Sequence, residues 1–344
     1  MVKVRQNIEA LQTYNVGGRS DLSPDWECFD WNESEFPPTN KVFEVMKTFY
    51  RYERYPDITA KKLKQRLSEY VDLPEDFIEV YNGSDDGLKD IMTVFVDRDT
   101  RVLSFQPSYT QVNTFITTNT DRYQKINIVD PLGKHQYNFM HCELADVVYL
   151  VNPNNPTGKL LSVEEIEELL NKYPDALFVV DEAYYEFAKV SCASLTVSYK
   201  NLIVTRTFSK AFGLASVRLG YVLGHPDLLT HLRKIRNGKA VNALAQRCGI
   251  AALDDLDYLD FRIEEMNDAK RFFIDNLSSK YEAIESQANF VLVKTPNSKD
   301  LLKRMKKNKI LLRDRSSFEN LENCVRITIG SKKQIIKVLD VMNL

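Results

Sequence analysis

A lysine flanked by hydroxyl groups and an arginine is the part of the sequence best suited to covalent chemistry. Lys210 lies in a polar stretch from Thr207 to Arg218, between two short runs of branched apolar residues. Such runs are typical of buried strands, so the loop between them would hold the amine near the core. Burial lowers the pKa of an amine and lets it form an imine with a carbonyl. Thr207, Ser209 and Arg218 are donors that bind phosphate, so the stretch predicts a phosphate-bearing carbonyl compound, a description that pyridoxal phosphate fits.

A carboxylate at the end of an apolar strand is the second candidate. Asp181 follows the run 178–180. It could cap the next helix, or it could be a buried charge, which needs a cationic partner because burying an unpaired carboxylate is costly. The protonated ring nitrogen of pyridoxal phosphate would be such a partner.

Several further polar residues follow predicted strands. Asn155 and Tyr184 could donate hydrogen bonds to the phenolic oxygen of that cofactor, and Tyr109 could stack on its ring. A turn asparagine and two core tyrosines are the alternatives. Residues 83–85 open a predicted helix, whose first backbone amides are free to bind a phosphate.

Two arginines near the C-terminus could recognise an anionic substrate. Arg326 lies within the apolar strand predicted for 325–329, and Arg313 precedes it. Each could simply occupy the exposed face of a strand. A site for amino acids, however, needs a bidentate partner for the carboxylate, which arginine provides.

The elements that would position these residues alternate between strand and helix from residue 77 onward. Strands are predicted at 77–81, 101–105, 147–151, 177–180 and 201–205, each followed by a polar turn. Strands that read as continuous apolar runs between helices favour a mostly parallel sheet covered on both faces. Ligands of such sheets bind at the carboxyl ends of the strands, where these turns converge.

The chain is expected to form two domains and an arm. Residues 1–40 are irregular and read as an arm that joins the small domain, 41–260 form the large cofactor-binding domain, and 261–344 form a smaller α+β domain. The boundary falls in a long helix predicted at 258–279.

Composition argues against several other functions. The 46 basic and 48 acidic residues give a net charge of −2, which offers no basic surface for nucleic acid. Five scattered cysteines suit free thiols in a reducing cytoplasm, and four histidines without ligand spacing give no support for a metal site. No apolar run reaches the roughly 18–20 residues that span a bilayer. A soluble, cytoplasmic protein is therefore expected.

Taken together, the motifs resemble those of the aspartate-aminotransferase-like (fold type I) pyridoxal phosphate enzymes, and among these the histidinol-phosphate aminotransferases. The matching stretches follow the order of that family along nearly the whole chain: 54–57, 82–86, 152–158, 181–184, 207–214, 218–221 and 325–330. The resemblance implies an α/β fold, with a seven-stranded, mostly parallel sheet in the large domain and a smaller α+β C-terminal domain.

The resemblance also implies roles around the cofactor ring. Lys210 would form the imine with pyridoxal 5'-phosphate, and Asp181 would pair with its pyridine nitrogen. Asn155 and Tyr184 would contact the phenolic oxygen, and Tyr109 would stack on the ring. Lys210, Asp181 and Tyr184 would be the catalytic residues of a ping-pong transamination.

The remaining implied ligands surround the phosphate and the substrate. The residues that would hold the cofactor phosphate are Ser84, Asp85, Thr207, Ser209 and Arg218. Tyr55 would reach the phosphate in the partner subunit of a homodimer. Arg326 and Arg313 would bind the anionic end of the substrate, and Tyr14 would line its pocket.

Two segments depart from the family pattern where the substrate would lie. Segment 32–38 retains part of an Asn-Glu-Asn-Pro-Tyr-Gly-Pro-like stretch, and 236–242 replaces a Pro-Phe/Tyr-Asn stretch. We expect an aminotransferase of a small phosphorylated amine or keto compound, with histidinol phosphate and 2-oxoglutarate as the leading pair. The alternatives are a transaminase making serinol phosphate from dihydroxyacetone phosphate, a decarboxylase of a phosphorylated amino acid, and a non-catalytic binding protein of this fold.

Overall fold

The computed structural model of the protein describes residues 2–9, 11, 19, 22–23, 25–130 and 134–344. The helices in these ranges are α1 Gln6–Glu9, α2 Asn40–Thr48, α3 Lys61–Val71, α4 Ser84–Phe95, α5 Gln111–Thr117, α6 Val163–Lys172, α7 Tyr185–Ala188, α8 Pro226–Ile235, α9 Ala243–Leu253, α10 Leu256–Asp275, α11 Ser298–Lys307 and α12 Lys332–Asn343. The strands are β1 Glu27–Cys28, β2 Ile78–Tyr81, β3 Val102–Gln106, β4 Tyr123–Asn127, β5 Val147–Val151, β6 Leu177–Asp181, β7 Leu202–Thr207, β8 Gly220–Gly224, β9 Glu282–Ile284, β10 Phe290–Lys294, β11 Ile310–Leu311, β12 Arg313–Asp314 and β13 Cys324–Thr328.

A seven-stranded sheet organises the first two thirds of the chain. Its order is β2-β8-β7-β6-β5-β3-β4, and β8 is antiparallel to both of its neighbours while the other pairs are parallel. Every residue of β5, β6 and β7 is buried, because helices cover both faces. The carboxyl ends of β2, β3, β5, β6 and β7 meet at one edge. The predicted α/β fold with a mostly parallel sheet is confirmed.

A four-stranded antiparallel sheet of order β12-β13-β10-β9 forms a separate unit. Alternate residues of β13, such as Val325 and Ile327, pack into a second hydrophobic core with α10, α11 and α12. The intervening residue Arg326 points to the other face of this sheet. The short strand β1 of the arm pairs in parallel with β11, so the arm is attached to this C-terminal part of the chain.

Local signals placed most elements within a few residues. Thr39 caps α2 by accepting a hydrogen bond from the backbone N–H of Lys41 at 3.4 Å, the role for which threonine is suited at the start of a helix. Strand β4 was missed because its middle residues, Gln124 and Lys125, are exposed and polar, whereas the sheet prediction relied on apolar runs. The division of the chain near residue 260, which falls inside α10, remains a prediction.

Within the described part of the chain, no helix has the length and apolar character needed to cross a membrane. No cluster of three or more potential metal-binding side chains is found there either.

Candidate active site

A cavity of about 260 Å³ opens at the carboxyl edge of the large sheet, between this sheet and the face of the small sheet that carries Arg326. The predicted site residues that line it are Ser84, Asp85, Tyr109, Asn155, Asp181, Tyr184, Thr207, Ser209, Lys210, Arg218, Arg313 and Arg326. They come from distant parts of the chain, so the fold alone brings them together.

Lys210 lies in the loop between β7 and β8, with its amine inside the cavity. The Nζ group donates a hydrogen bond to the backbone oxygen of Trp31 at 3.0 Å. Burial, followed by the positive charge of Arg326, lowers the pKa of this amine from 10.5 to about 8. A substantial fraction of the amine is therefore neutral, and nucleophilic, slightly above neutral pH.

Asp181 is a buried carboxylate rather than a surface helix cap. Its oxygens accept hydrogen bonds from the Tyr149 hydroxyl at 2.9 Å and the Thr205 hydroxyl at 3.1 Å. Burial raises the pKa of Asp181 to about 6, although the hydrogen bonds from Tyr149 and Thr205 act in the opposite direction. A cation bound next to it would favour the ionised form.

The phenol of Tyr184 is held by two amides. Asn155 Nδ2 and Asn32 Nδ2 donate to its oxygen, at 3.2 and 2.9 Å. The orientation of Asn155 follows from chemistry, since its Oδ1 accepts a 2.5 Å hydrogen bond from Arg326, a side chain that only donates. With its oxygen engaged as an acceptor on two sides, Tyr184 can direct its own O–H into the cavity.

An anion cradle is formed where α4 begins. Gly83 has φ +81°, and the backbone N–H of Ser84 follows at the N-terminus of the helix. A Cβ on Gly220 would lie 2.4 Å from that nitrogen. Strand β8 can therefore lie this close to the start of α4 only because residue 220 lacks a side chain. Arg218 Nη1 donates to the Ser209 hydroxyl at 3.4 Å, which directs the guanidinium to the same place. Free amides, hydroxyls and a guanidinium together suit a phosphate.

Asp85 contacts two other residues of the cavity, Tyr109 and Arg218. The Tyr109 hydroxyl donates to Asp85 Oδ1 at 2.8 Å, and Asp85 Oδ2 pairs with Arg218 at 3.4 Å. The carboxylate of Asp85 therefore orients the tyrosine ring and the arginine. Any direct contribution of Asp85 to an anion in the cradle would come from its backbone N–H, near the start of α4.

Two predicted site residues do not line this cavity. Tyr55 is 79% exposed on the outer surface, with the Lys239 amine 4.5 Å from the centre of its ring. Tyr14 lies outside the described residues. Segment 236–242 also does not contribute to the lining. Its first residue, Arg236, bonds instead to buried Glu79 and to the backbone oxygen of Val80.

Sequence reasoning missed several residues of the site. Asp30 and Trp31 reach the cavity from the arm, and Arg315 reaches it from the residue after β12. A tyrosine within the apolar run 147–151 was a usable signal for Tyr149, since a buried hydroxyl needs a partner. Asn32 belongs to segment 32–38, which the resemblance placed near the substrate, but nothing in the local sequence signals its contact with Tyr184.

Known proteins are similar to this chain along most of its length. The model of the aminotransferase class I and II family matches residues 28–342. A dihydroxyacetone phosphate transaminase of Campylobacter jejuni is 33% identical over 329 residues, covering 90% of this chain and 88% of its own length. A histidinol-phosphate aminotransferase of Geotalea daltonii is 30% identical, covering 98% of each chain.

A solved structure shows the same fold. The histidinol-phosphate aminotransferase from Sinorhizobium meliloti, in complex with pyridoxal-5'-phosphate, has a TM-score of 0.87 at 24% identity and covers 99% of this chain and 97% of its own. The chain belongs to the aminotransferase class I and II family, the pyridoxal phosphate-dependent aminotransferases that its motifs resemble.

Proposed function

We propose that the protein transfers an amino group between an amino-acid donor and a small phosphorylated carbonyl compound, using pyridoxal 5'-phosphate. The observation that carries this proposal is the shared cavity: the Lys210 amine, with its lowered pKa, lies between an anion cradle and a group of arginines. The cradle suits the phosphate of the cofactor, and the arginines suit an anionic substrate.

The residues present fit this cofactor. A Cβ on Gly83 would lie 2.6 Å from Arg218 Nη2, so the glycine leaves the space that a bound phosphate and its arginine need. Ser84, Thr207, Ser209 and Arg218 would hold the phosphate, with the backbone N–H of Asp85.

The remaining cavity residues would hold the ring. Asp181 would pair with the ring nitrogen, because a protonated pyridine supplies the cation that a buried carboxylate requires. Tyr184 and Asn155 would donate to the phenolic oxygen, and Tyr109 would stack on the ring face.

The chain's own groups then account for the proton transfers. When bound, pyridoxal phosphate supplies an electron-accepting ring that stabilises negative charge at the substrate carbon next to the amine. Lys210 Nζ, with a pKa of about 8, is suited to taking the proton from that carbon and passing it to the cofactor. Asp181 would keep the ring nitrogen protonated. Tyr184 holds its O–H toward the cavity. Arg326 would orient the substrate by its anionic end.

Two substrate pairs are proposed. The first pair is histidinol phosphate with 2-oxoglutarate, of which histidinol phosphate appears in the name of the Geotalea daltonii relative, a histidinol-phosphate aminotransferase. Dihydroxyacetone phosphate, which would yield serinol phosphate, corresponds to the activity named for the Campylobacter jejuni relative at 33% identity. The altered segment 32–38, whose Asn32 contacts Tyr184, supports keeping the second pair beside the first, whereas segment 236–242 lies away from the cavity.

Half-reactions followed by absorbance test the proposal. Addition of L-glutamate to the purified holoenzyme should convert the visible band of the lysine-bound cofactor to that of its amine form. Dihydroxyacetone phosphate, or the keto compound related to histidinol phosphate, should restore the original band, and the faster of the two identifies the substrate. A Lys210→Ala variant should show neither change. Carbon dioxide release from a phosphorylated amino acid, without band conversion, would contradict transamination.

A homodimer is part of the proposal. Within one short segment, Tyr50, Tyr52, Tyr55 and Ile58 are large apolar residues that are between 53% and 79% exposed. Exposed residues of this kind favour coverage by a second copy, which would bring Tyr55 to the phosphate of the partner's cofactor. Light scattering should give twice the chain mass of 39.8 kDa, and Tyr55→Phe should weaken cofactor binding. A monomer that retains full activity would contradict this part.

The proposed location is the cytoplasm, where the five free thiols would remain reduced.

A further inference from the structure

Three arginines lie on one face of the small sheet, next to the cavity. Arg313 of β12 stands directly opposite Arg326 of β13 in the antiparallel register. The backbone N–H of Arg315 donates to the oxygen of Cys324 at 2.9 Å, which continues the same ladder by one pair. Because side chains alternate along a strand, Arg313, Arg315 and Arg326 share a face, and all three line the cavity.

Like charges that face each other across two strands repel. The cavity lining as a whole carries five basic side chains, Lys210, Arg218, Arg313, Arg315 and Arg326, against three acidic ones, Asp30, Asp85 and Asp181. A multiply charged anion among the three arginines would reduce their repulsion. This arrangement has the charge that an anion receptor needs, and it belongs to the small sheet rather than to the cradle at α4.

The three arginines differ in depth. Arg326 is 3% exposed and is oriented by hydrogen bonds to Asn155 and to the backbone oxygen of Asp30. Arg313 and Arg315 also line a second cavity of about 440 Å³, to which Lys306 contributes and Arg326 does not. Arg326 is thus the most deeply buried member of the cluster, and Arg313 and Arg315 are partly exposed.

We propose that Arg315 determines specificity by binding the phosphate group of the substrate, together with Arg313 and Arg326. This inference rests on the proposed function and names a residue that the family motifs did not assign. A carboxylate offers two oxygens and one charge, which a single guanidinium satisfies. A phosphate monoester offers three oxygens and up to two charges, so additional guanidinium groups increase its affinity more than that of a carboxylate.

The test compares the two half-reactions in an Arg315→Gln variant. We expect kcat/KM for the phosphorylated substrate to fall about 10- to 100-fold, the range for losing a hydrogen bond to a charged group, chiefly through KM. The L-glutamate half-reaction should change less than about threefold, since Arg326 remains for its carboxylate. Arg315→Lys should recover part of the loss, because it restores the charge without the bidentate geometry.

A matched control removes an arginine elsewhere. Arg98 is exposed and does not line the cavity, so Arg98→Gln should leave both half-reactions unchanged. An equal loss in both half-reactions of Arg315→Gln, or no loss in either, would overturn the assignment of Arg315.

Calorimetric titration of the holoenzyme with inorganic phosphate separates this inference from the proposed function. The cofactor already fills the cradle, so added phosphate reports on the arginine cluster without any turnover. We expect the Kd for phosphate to rise about 10- to 100-fold in Arg315→Gln and to stay unchanged in Arg98→Gln. If neither phosphorylated substrate reacts but phosphate binding depends on Arg315, the substrate proposal fails and the anion receptor stands. If phosphate binds both variants equally, the receptor is refuted.

Discussion

Replacing Lys210 with methionine should stabilise the cofactor-free protein at neutral pH. The amine has a pKa of about 8 in the folded protein instead of 10.5, because burial disfavours its charged form. One pKa unit corresponds to about 1.36 kcal/mol, so keeping this amine in place costs the folded state about 3 kcal/mol at pH 7. Methionine has a similar length and carries no charge.

The substitution also removes the hydrogen bond from Lys210 to the backbone oxygen of Trp31. That loss costs about 1 kcal/mol. The variant should therefore be more stable than the wild type by about 2 kcal/mol at pH 7.

The difference must shrink as the pH rises. Between about pH 8 and 10.5 the amine binds more protons in the unfolded chain than in the folded one. Under that condition the stability of the wild type increases with pH, whereas the variant lacks this term. By pH 10 the remaining penalty is about 1 kcal/mol, which the lost hydrogen bond offsets, so the two proteins should have about the same stability.

Chemical unfolding of both proteins, freed of cofactor and held at one concentration, measures this difference at pH 7, 8.5 and 10. Lys299→Met, at an exposed position of α11, is the matched control and should show a difference near zero at every pH. A Lys210→Met variant that is less stable at pH 7, or a difference that stays constant across the range, would refute the reasoning.

Three other perturbations have defined outcomes. Asp181→Asn keeps the size of the side chain but removes its charge, so the glutamate half-reaction should slow by about 100-fold or more in stopped-flow absorbance; a rate within threefold of the wild type would contradict the pairing with the ring nitrogen. Gly83→Ala places a Cβ 2.6 Å from Arg218 Nη2 on a backbone with φ +81°, and strain of about 1–2 kcal/mol should weaken cofactor affinity roughly tenfold in a fluorescence titration; unchanged affinity would argue against the cradle. Burial raises the pKa of Glu35 from 4.5 to about 7, so the folded state binds more protons than the unfolded chain between these values and loses stability as the pH rises through them. Glu35→Gln should thus gain up to about 3 kcal/mol over the wild type at pH 7 and above, and little at pH 4, in thermal unfolding; a difference independent of pH would exclude this origin.

The sequence alone predicted the large sheet and the edge of that sheet at which most of the cavity residues lie. Strands such as β5 and β7 are continuous apolar runs, and each ends in a polar turn that carries the candidate residues. Parallel strands must bring their carboxyl ends to one edge, so Lys210 and Asp181 could be placed together without knowing any contact.

The tertiary structure decided which side chains meet. The hydrogen bonds of Tyr149 and Thr205 to Asp181 depend on the register of three neighbouring strands, which local periodicity does not specify. Asn32 contacts Tyr184 across 152 positions of the chain, because the arm pairs with the C-terminal part.

The arginine cluster shows the same division. Arg326 could be recognised from its place in a family motif, whereas Arg315 resembled any charged residue near a turn. Its position opposite Cys324 in the antiparallel ladder puts it on the face of the sheet that borders the cavity. Turn and strand signals are local properties of the chain, but the pairing of distant strands fixes which face each side chain occupies and therefore which charges the substrate meets.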